Sequence, residues 1–459
     1  MKKRILCALM ILALTASASG CGQQAARSSD SVKTDTVTNG VTADTKGAEF
    51  GETAAEDYGG DDIAFDGFAA AEATTTRGAS TATATAGATA DTFGDSATAR
   101  ATSKKATDDK AESKTVESEV ELPEAGQLTA GEWNDNENWG FFSNLVNSEK
   151  ISFPSFGIYP NNRTAVTVKD KDGSAVVNAR VVLLDGDGNT LWSAVTNKEG
   201  IAYLFNQTKT PAVSVEVESG GKKQSYKLND SKSNEQGAKN TDTSDLEVTF
   251  DGKGELYKNT DIMFIVDSTG SMGDEMLFLQ SEFTEITKAV GTENTRYSVN
   301  FYRDEGDEYV TKCSDFTTDI KSLQKTLNSE EAAGGGDYPE AVAEILKETV
   351  FDGGWKDDSV KLAFLIFDAP PHSGTDDTIV KTVEEAAKKG IRIIPIVASD
   401  SDRDTELFGR ALSITTGGDY VFLTDDSGIG NSHTEPIIGS YEVRKLYNVI
   451  IDIIKDYKQ

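Results

Sequence analysis

Residues 261–276, DIMFIVDSTGSMGDEM, constrain the fold of this chain most. Ile262 to Val266 is an unbroken apolar run of strand length, which reads as a strand covered on both faces in a mainly parallel sheet. The run stops at Asp267 and gives way to hydroxyls and glycine. In an open α/β sheet, ligands bind at the carboxyl ends of the strands. Asp267, Thr269 and Ser271 are therefore expected on a loop over that crevice, with Gly270 and Gly273 permitting the sharp turn. Three oxygen-bearing side chains at alternate positions suit a hard cation such as Mg²⁺, which takes six oxygens and keeps several waters. The same residue types are also good helix caps, so the loop alone leaves a plain capping turn open.

After Tyr257, strand and helix patterns alternate to the end of the chain. Helices are predicted over 276–290, 339–351, 378–389, 402–414 and 440–457, and strands over 296–304, 360–368, 391–397 and 419–423. Right-handed crossovers make this an α/β fold, a doubly wound, mostly parallel sheet with helices on both faces. Two more loops reach the same edge: GGGDYPE, from Gly334 to Glu340, and FDAPPH, in which Asp368 ends a second fully apolar strand and His372 follows.

The first loop resembles the metal-ion-dependent adhesion site (MIDAS) of von Willebrand factor A (vWA) domains, D-x-S-x-S, with Thr269 in place of the middle serine. GGGDYPE stands where the family has its second metal loop and resembles a G-G-D-x-P-E form, with Asp337 where threonine is usual. Asp368 falls at the family's final aspartate. The resemblance implies a divalent ion, Mg²⁺ or another such as Mn²⁺ or Ca²⁺, held by Thr269, Ser271 and Asp337. Asp267 and Asp368 would act mainly through water, and a partner's acidic oxygen would complete the shell. A third carboxylate over-neutralises the ion and weakens its pull on such a partner. Other readings fail on spacing. The aspartic-protease motif needs D-T-G, and Ser268 intervenes; dehalogenase-type phosphotransfer needs an aspartate where Thr269 stands. A phosphate cradle needs a Lys-Ser/Thr pair after the glycines of 334–336, and none follows.

The 459 residues exceed what one core usually fills, which predicts more than one folded part plus unstructured sequence. With 76 acidic against 45 basic residues, the formal charge is −31, a field that repels nucleic acid and concentrates cations. Lys2, Lys3 and Arg4 precede an apolar run too short to span a bilayer, followed by small residues and Cys21. That order resembles a bacterial lipobox, which implies a signal over 1–21, a lipid anchor at Cys21 and placement on the extracytoplasmic side of the cell membrane. Cys7 would leave with the signal, so no disulfide framework is possible, and Cys313 is expected as a small buried hydrophobe.

Residues 22–121 are rich in Thr, Ala, Ser, Gly and Asp and are expected to be a disordered tether, with a mean reach of roughly 50–60 Å. Residues 122–158 carry Trp133, Trp139, Phe141 and Phe142, and are expected to pack on the domain that follows. Residues 159–250 read as short alternating strands punctuated by Asp172-Gly173, Asp187-Gly188 and Glu199-Gly200, the pattern of hairpins in an antiparallel sandwich. They resemble carboxypeptidase-regulatory-like domains, spacer or binding modules without an active site. The aspartates there have a sufficient reason in turn geometry.

The whole reads as a non-enzymatic surface lipoprotein whose vWA domain, 258–459, binds an extracellular or envelope protein through its metal site, with no nucleic-acid partner. An envelope scaffold that binds without the ion is the alternative. A metal-assisted hydrolase built on Asp267, Asp337, Asp368 and His372 is the second.

Overall fold

The computed structural model describes residues 124–153, 156–228 and 245–458, all within one compact unit, Lys110–Gln459. The signal segment, Cys21 and the tether lie outside the described residues. No helix among the described residues is long and apolar enough to cross a membrane.

The chain opens with β1 (Thr129–Trp133) and α1 (Trp139–Asn147). Seven short strands follow: β2 (Arg163–Lys169), β3 (Arg180–Leu184), β4 (Thr190–Val195), β5 (Ile201–Phe205), β6 (Ser214–Ser219), β7 (Lys222–Lys227) and β8 (Leu246–Thr249). The α/β series then runs β9 (Asn259–Asp267), α2 (Gly273–Val290), β10 (Thr295–Tyr302), β11 (Thr311–Lys312), α3 (Ile320–Asn328), α4 (Val342–Asp352) and β12 (Ser359–Phe367). It ends with α5 (Asp376–Lys389), β13 (Ile391–Val397), α6 (Arg403–Thr416), β14 (Tyr420–Leu423), β15 (Arg444–Lys445) and α7 (Leu446–Tyr457).

The central sheet has the order β11-β10-β9-β12-β13-β14-β1-β15. It is parallel from β10 to β14, with antiparallel strands at both margins. Its apolar runs are explained by burial on both faces. Ile262, Phe264 and Val266 of β9 face a core shared with α2, α3 and α7, whereas Met263 and Ile265 face one shared with α4, α5 and α6. β12 alternates in the same way, Leu362, Phe364 and Ile366 against Ala363, Leu365 and Phe367.

Several expectations need correction. The central sheet does not begin at 258, because β1, from the tryptophan-bearing segment, pairs antiparallel with β14 and completes it. The seven small strands are therefore inserted between two parts of one sheet. They form a three-stranded sheet, β5-β2-β8, and a four-stranded one, β4-β3-β6-β7, joined by a common core in which Trp192 meets Phe205 edge-on at 5.7 Å. They are not wholly antiparallel: β2 and β8 run parallel. The turn at Glu199-Gly200 is no hairpin within a sheet, since β4 and β5 belong to different sheets and the chain crosses the core there. Cys313 is exposed; it follows β11, a two-residue strand at the margin of the sheet with no further strand beyond it among the described residues. The short helix α3 was not predicted, although Asp319 accepting from the Ser322 amide at 3.2 Å is an ordinary start signal.

Candidate functional site

Strand register builds the site. β9 lies beside β12 with Val266 opposite Ile366, and beside β10 with Asp267 opposite Tyr302. Asp267 closes β9 and Asp368 directly follows β12, so both carboxylates leave the same carboxyl edge from adjacent strands. Beyond Asp267 the backbone makes one 3₁₀ turn, Gly270–Met272, and enters α2. Asp267 Oδ1 accepts from the Thr269 amide at 2.9 Å and the Thr269 hydroxyl at 2.7 Å. Thr269 Oγ1 in turn lies 3.1 Å from Ser271 Oγ. The aspartate and both hydroxyls therefore form one connected cluster.

The glycine loop is stitched between the other two. The Ala333 amide donates to Ser268 O at 3.0 Å, Gly270 to Gly334 O at 3.1 Å, and Glu340 to Pro370 O at 3.0 Å. Gly335 has φ +74°, and a Cβ there would sit 3.3 Å from Thr269 Cβ and 2.9 Å from Glu340 Oε1. Only glycine lets the loop close this tightly over Thr269. All three loops thus meet at one edge.

Within that loop the sequence pointed to Asp337, and the structure turns a different carboxylate inward. Asp337 is exposed and has no hydrogen bond to the cluster among the described residues. Glu340 is 4% exposed, and its Oε2 has no hydrogen-bond partner. Its Pro-Glu context reads from sequence as a helix start, which gives no hint of the direction its side chain takes. Asp304 was likewise missed: it follows β10, is buried, and its Oδ1 lies 2.5 Å from His372 Nε2. Asp307 accepts from the Gly335 amide at 2.8 Å. Tyr338, on the rim, ties the loop to α6: its hydroxyl accepts from the Asp402 amide at 2.7 Å and lies 2.9 Å from Thr405 Oγ1.

The electrostatics show an unmet demand for positive charge. Burial, followed by other carboxylates, holds Asp267 and Asp368 above the usual carboxylate range, with Asp267 itself the main charge acting on Asp368. Burial and the charges of Asp267, Asp304 and Asp368 push Glu340 up to about 9. Asp267 Oδ2, Asp368 Oδ1 and Glu275 Oε2 are buried without hydrogen-bond partners. Such oxygens are costly unless a proton or a cation reaches them. Among the described residues, no three His, Cys, Asp or Glu side chains are already placed to share a metal ion. The donor set instead combines two orphaned aspartate oxygens with two hydroxyls, which fits a hard oxygen-seeking cation.

One family model covers this edge of the sheet. Residues 261–432 match the family model of the von Willebrand factor A domain. An ariadne-like RING finger protein of Acanthamoeba polyphaga mimivirus is 28% identical over 186 residues, 36% of this chain, and the chain spans only 18% of that protein's length. The crystal structure of a conserved hypothetical protein, BatB from Bacteroides thetaiotaomicron, aligns at 14% identity and a TM-score of 0.33, covering 44% of this chain and all of the other. Residues 261–432 of this chain therefore form a von Willebrand factor A domain.

Proposed function

We propose that this chain is an extracytoplasmic lipoprotein, anchored to a bacterial cell membrane through Cys21, whose vWA domain captures an extracellular or envelope protein through a divalent ion, Mg²⁺ by preference. The observation that carries the metal reading is the placement of Asp267 and Asp368 on adjacent strand ends, each with an unpartnered buried oxygen, beside the linked hydroxyls of Thr269 and Ser271. Thr269 and Ser271 would hold the ion directly, and Asp267 and Asp368 would supply charge behind it. Glu340 takes the part that the sequence assigned to Asp337. The bound ion supplies a Lewis-acidic point for a partner's carboxylate. The two small sheets serve in this reading as a carboxypeptidase-regulatory-like spacer.

Titration calorimetry of the full chain with Mg²⁺ tests the metal. Saturable heat is expected from the wild type, with at least tenfold weaker binding in Asp267→Ala and Asp368→Ala; equal heats in all three would remove the ion from the proposal. Affinity should also rise with pH, because the ion displaces protons that these carboxylates hold above their ordinary range.

A metal-independent scaffold is the second reading. It is favoured by Glu340, whose carboxyl burial and the neighbouring carboxylates push up to about 9, so that this part of the edge carries less negative charge for an ion. Capture of an envelope protein that persists in chelator and in Asp368→Ala would select it. A metal-assisted hydrolase is the third reading; in it Asp267, Asp337, Asp368 and His372 would act around the ion, with Asp304 orienting His372 through Nε2.

A further inference from the structure

The opposite end of the central sheet carries a different chemistry. A cleft of about 310 Å³ opens where the small sheets meet the amino edge of β12 and β13, far along the strands from Asp267 and Asp368. Six cations line it: Arg180 and Lys198 from the small sheets, Lys361 and Arg392 from the central strands, and Lys388 and Lys389 from the end of α5. Among the described residues Asp357 is the one acidic residue lining it, in a chain with 76 acids and 45 bases.

Half of these cations already have carboxylate partners. Lys198 pairs with Asp456, and Lys388 and Lys389 with Glu385, where they also answer the helix dipole. Among the described residues the other three have none within ion-pair distance, although Glu218 stands opposite Arg180 across β3 and β6. Lys361 is 6% exposed, and its Nζ meets only the backbone oxygens of Ser359 at 3.1 Å and Asp357 at 3.3 Å, with the Tyr257 ring at 5.6 Å. Arg392 is 8% exposed and donates to Thr416 O at 2.9 Å and Val195 O at 2.8 Å. Arg180 donates to Ser193 Oγ at 3.1 Å. Bridging two backbone oxygens gives Arg392 a structural use but no ion pair; Lys361 likewise touches no carboxylate, although the charges of Asp261, Asp357 and Asp358 act on it from a distance. Buried cations with no carboxylate in contact are only partly compensated, and an anion from solution would complete their shell.

We propose that this cleft is a binding site for a compact phosphate-class anion, held by the guanidinium groups of Arg180 and Arg392 and the ammonium of Lys361. Arginine forks match tetrahedral oxyanions, with lysine as a point charge. The negative field of the rest of the chain disfavours long polyanions, so the ligand is a small group or the head of an otherwise uncharged molecule. Because its ligands come from two sheets, the anion would clamp the small sheets to the vWA domain.

The test is calorimetry of the intact chain with inorganic phosphate at fixed ionic strength, alongside the thermal midpoint. Saturable one-to-one binding and a rise in midpoint are expected, with binding at least tenfold weaker in Arg180→Gln and Lys361→Gln. Arg180 is on the surface, so its variant stays informative if Lys361→Gln folds poorly; its Mg²⁺ heat should be unchanged. Glycerol 3-phosphate in a parallel titration separates the sources. Tighter binding than phosphate points to a lipid or glycan head group, and equal or weaker binding to free phosphate. No saturable phosphate heat, or wild-type affinity in Arg180→Gln, would overturn the proposal.

Discussion

Glu282 shows what a single buried carboxylate contributes away from the metal loops. It lies on α2, 2% exposed, with Oε1 accepting from the Gly126 amide at 2.8 Å and Oε2 without a partner. Burial pushes it up to about 7, against the opposing pull of the amides of residues 126–128. A carboxyl raised on folding binds protons more tightly in the native state. The stability it contributes is therefore full at low pH and is lost as pH rises from the ordinary glutamate range through about 7. The loss amounts to roughly 3 kcal/mol at most. Glu282→Gln keeps an acceptor for Gly126 without the charge, so its denaturation midpoint should fall less than the wild type's between pH 5 and pH 8. An unchanged pH dependence would show that Glu282 titrates normally.

At the scale of elements, the turn after β1 joins three parts of the molecule. Arg410 of α6 and Asp135 are both fully buried and doubly bonded, Nε to Oδ2 and Nη2 to Oδ1, each at 2.8 Å. Asp135 also accepts from Trp133 Nε1 at 2.9 Å. One residue on, the Asn136 carbonyl accepts from Arg163 of β2 at 2.9 Å, and that guanidinium stacks 3.9 Å from the Trp139 ring. β1, α6 and the small sheets are thus held through one short segment. Arg410→Ala should cost about 3–5 kcal/mol in urea denaturation, because it strands Asp135 without a counter-charge. The double change Arg410→Met with Asp135→Leu should recover much of that loss. A single variant that unfolds at the wild-type urea midpoint would show that the pair does not hold β1 in place.

At the scale of the whole molecule, the small sheets do not behave as a separate bead. Val166, Val181, Trp192 and Phe205 belong to the same buried cluster as Ile265, Leu365 and Phe408 of the α/β part. Calorimetric melting should therefore show one transition across both parts. Trp192→Ala, which hollows the small sheets, should lower that common transition by about 3–5 kcal/mol. Two transitions, with only the first shifted, would show that the parts melt independently.

Much of this architecture was legible because local physics repeats itself. Ile262–Val266, Leu362–Phe367 and Ile391–Val397 had to be strands buried on both faces, and the amphipathic stripes between them had to be helices. Asp267 and Asp368 followed as residues at strand ends, and Thr269 and Ser271 as their near neighbours in the chain. What the chain alone could not decide was pairing over long sequence distances. β1 enters the sheet 287 positions ahead of its partner β14, counted from Trp133 to Tyr420, and no local pattern marks that choice. Nor does local pattern say that Glu340 turns inward while Asp337 faces solvent, or that Lys361 and Arg392 line one cleft with Arg180 of another sheet. Periodicity is a property of neighbouring residues and can be read from them; the direction of a loop side chain and the company it keeps are set by surfaces that exist only once the layers have packed.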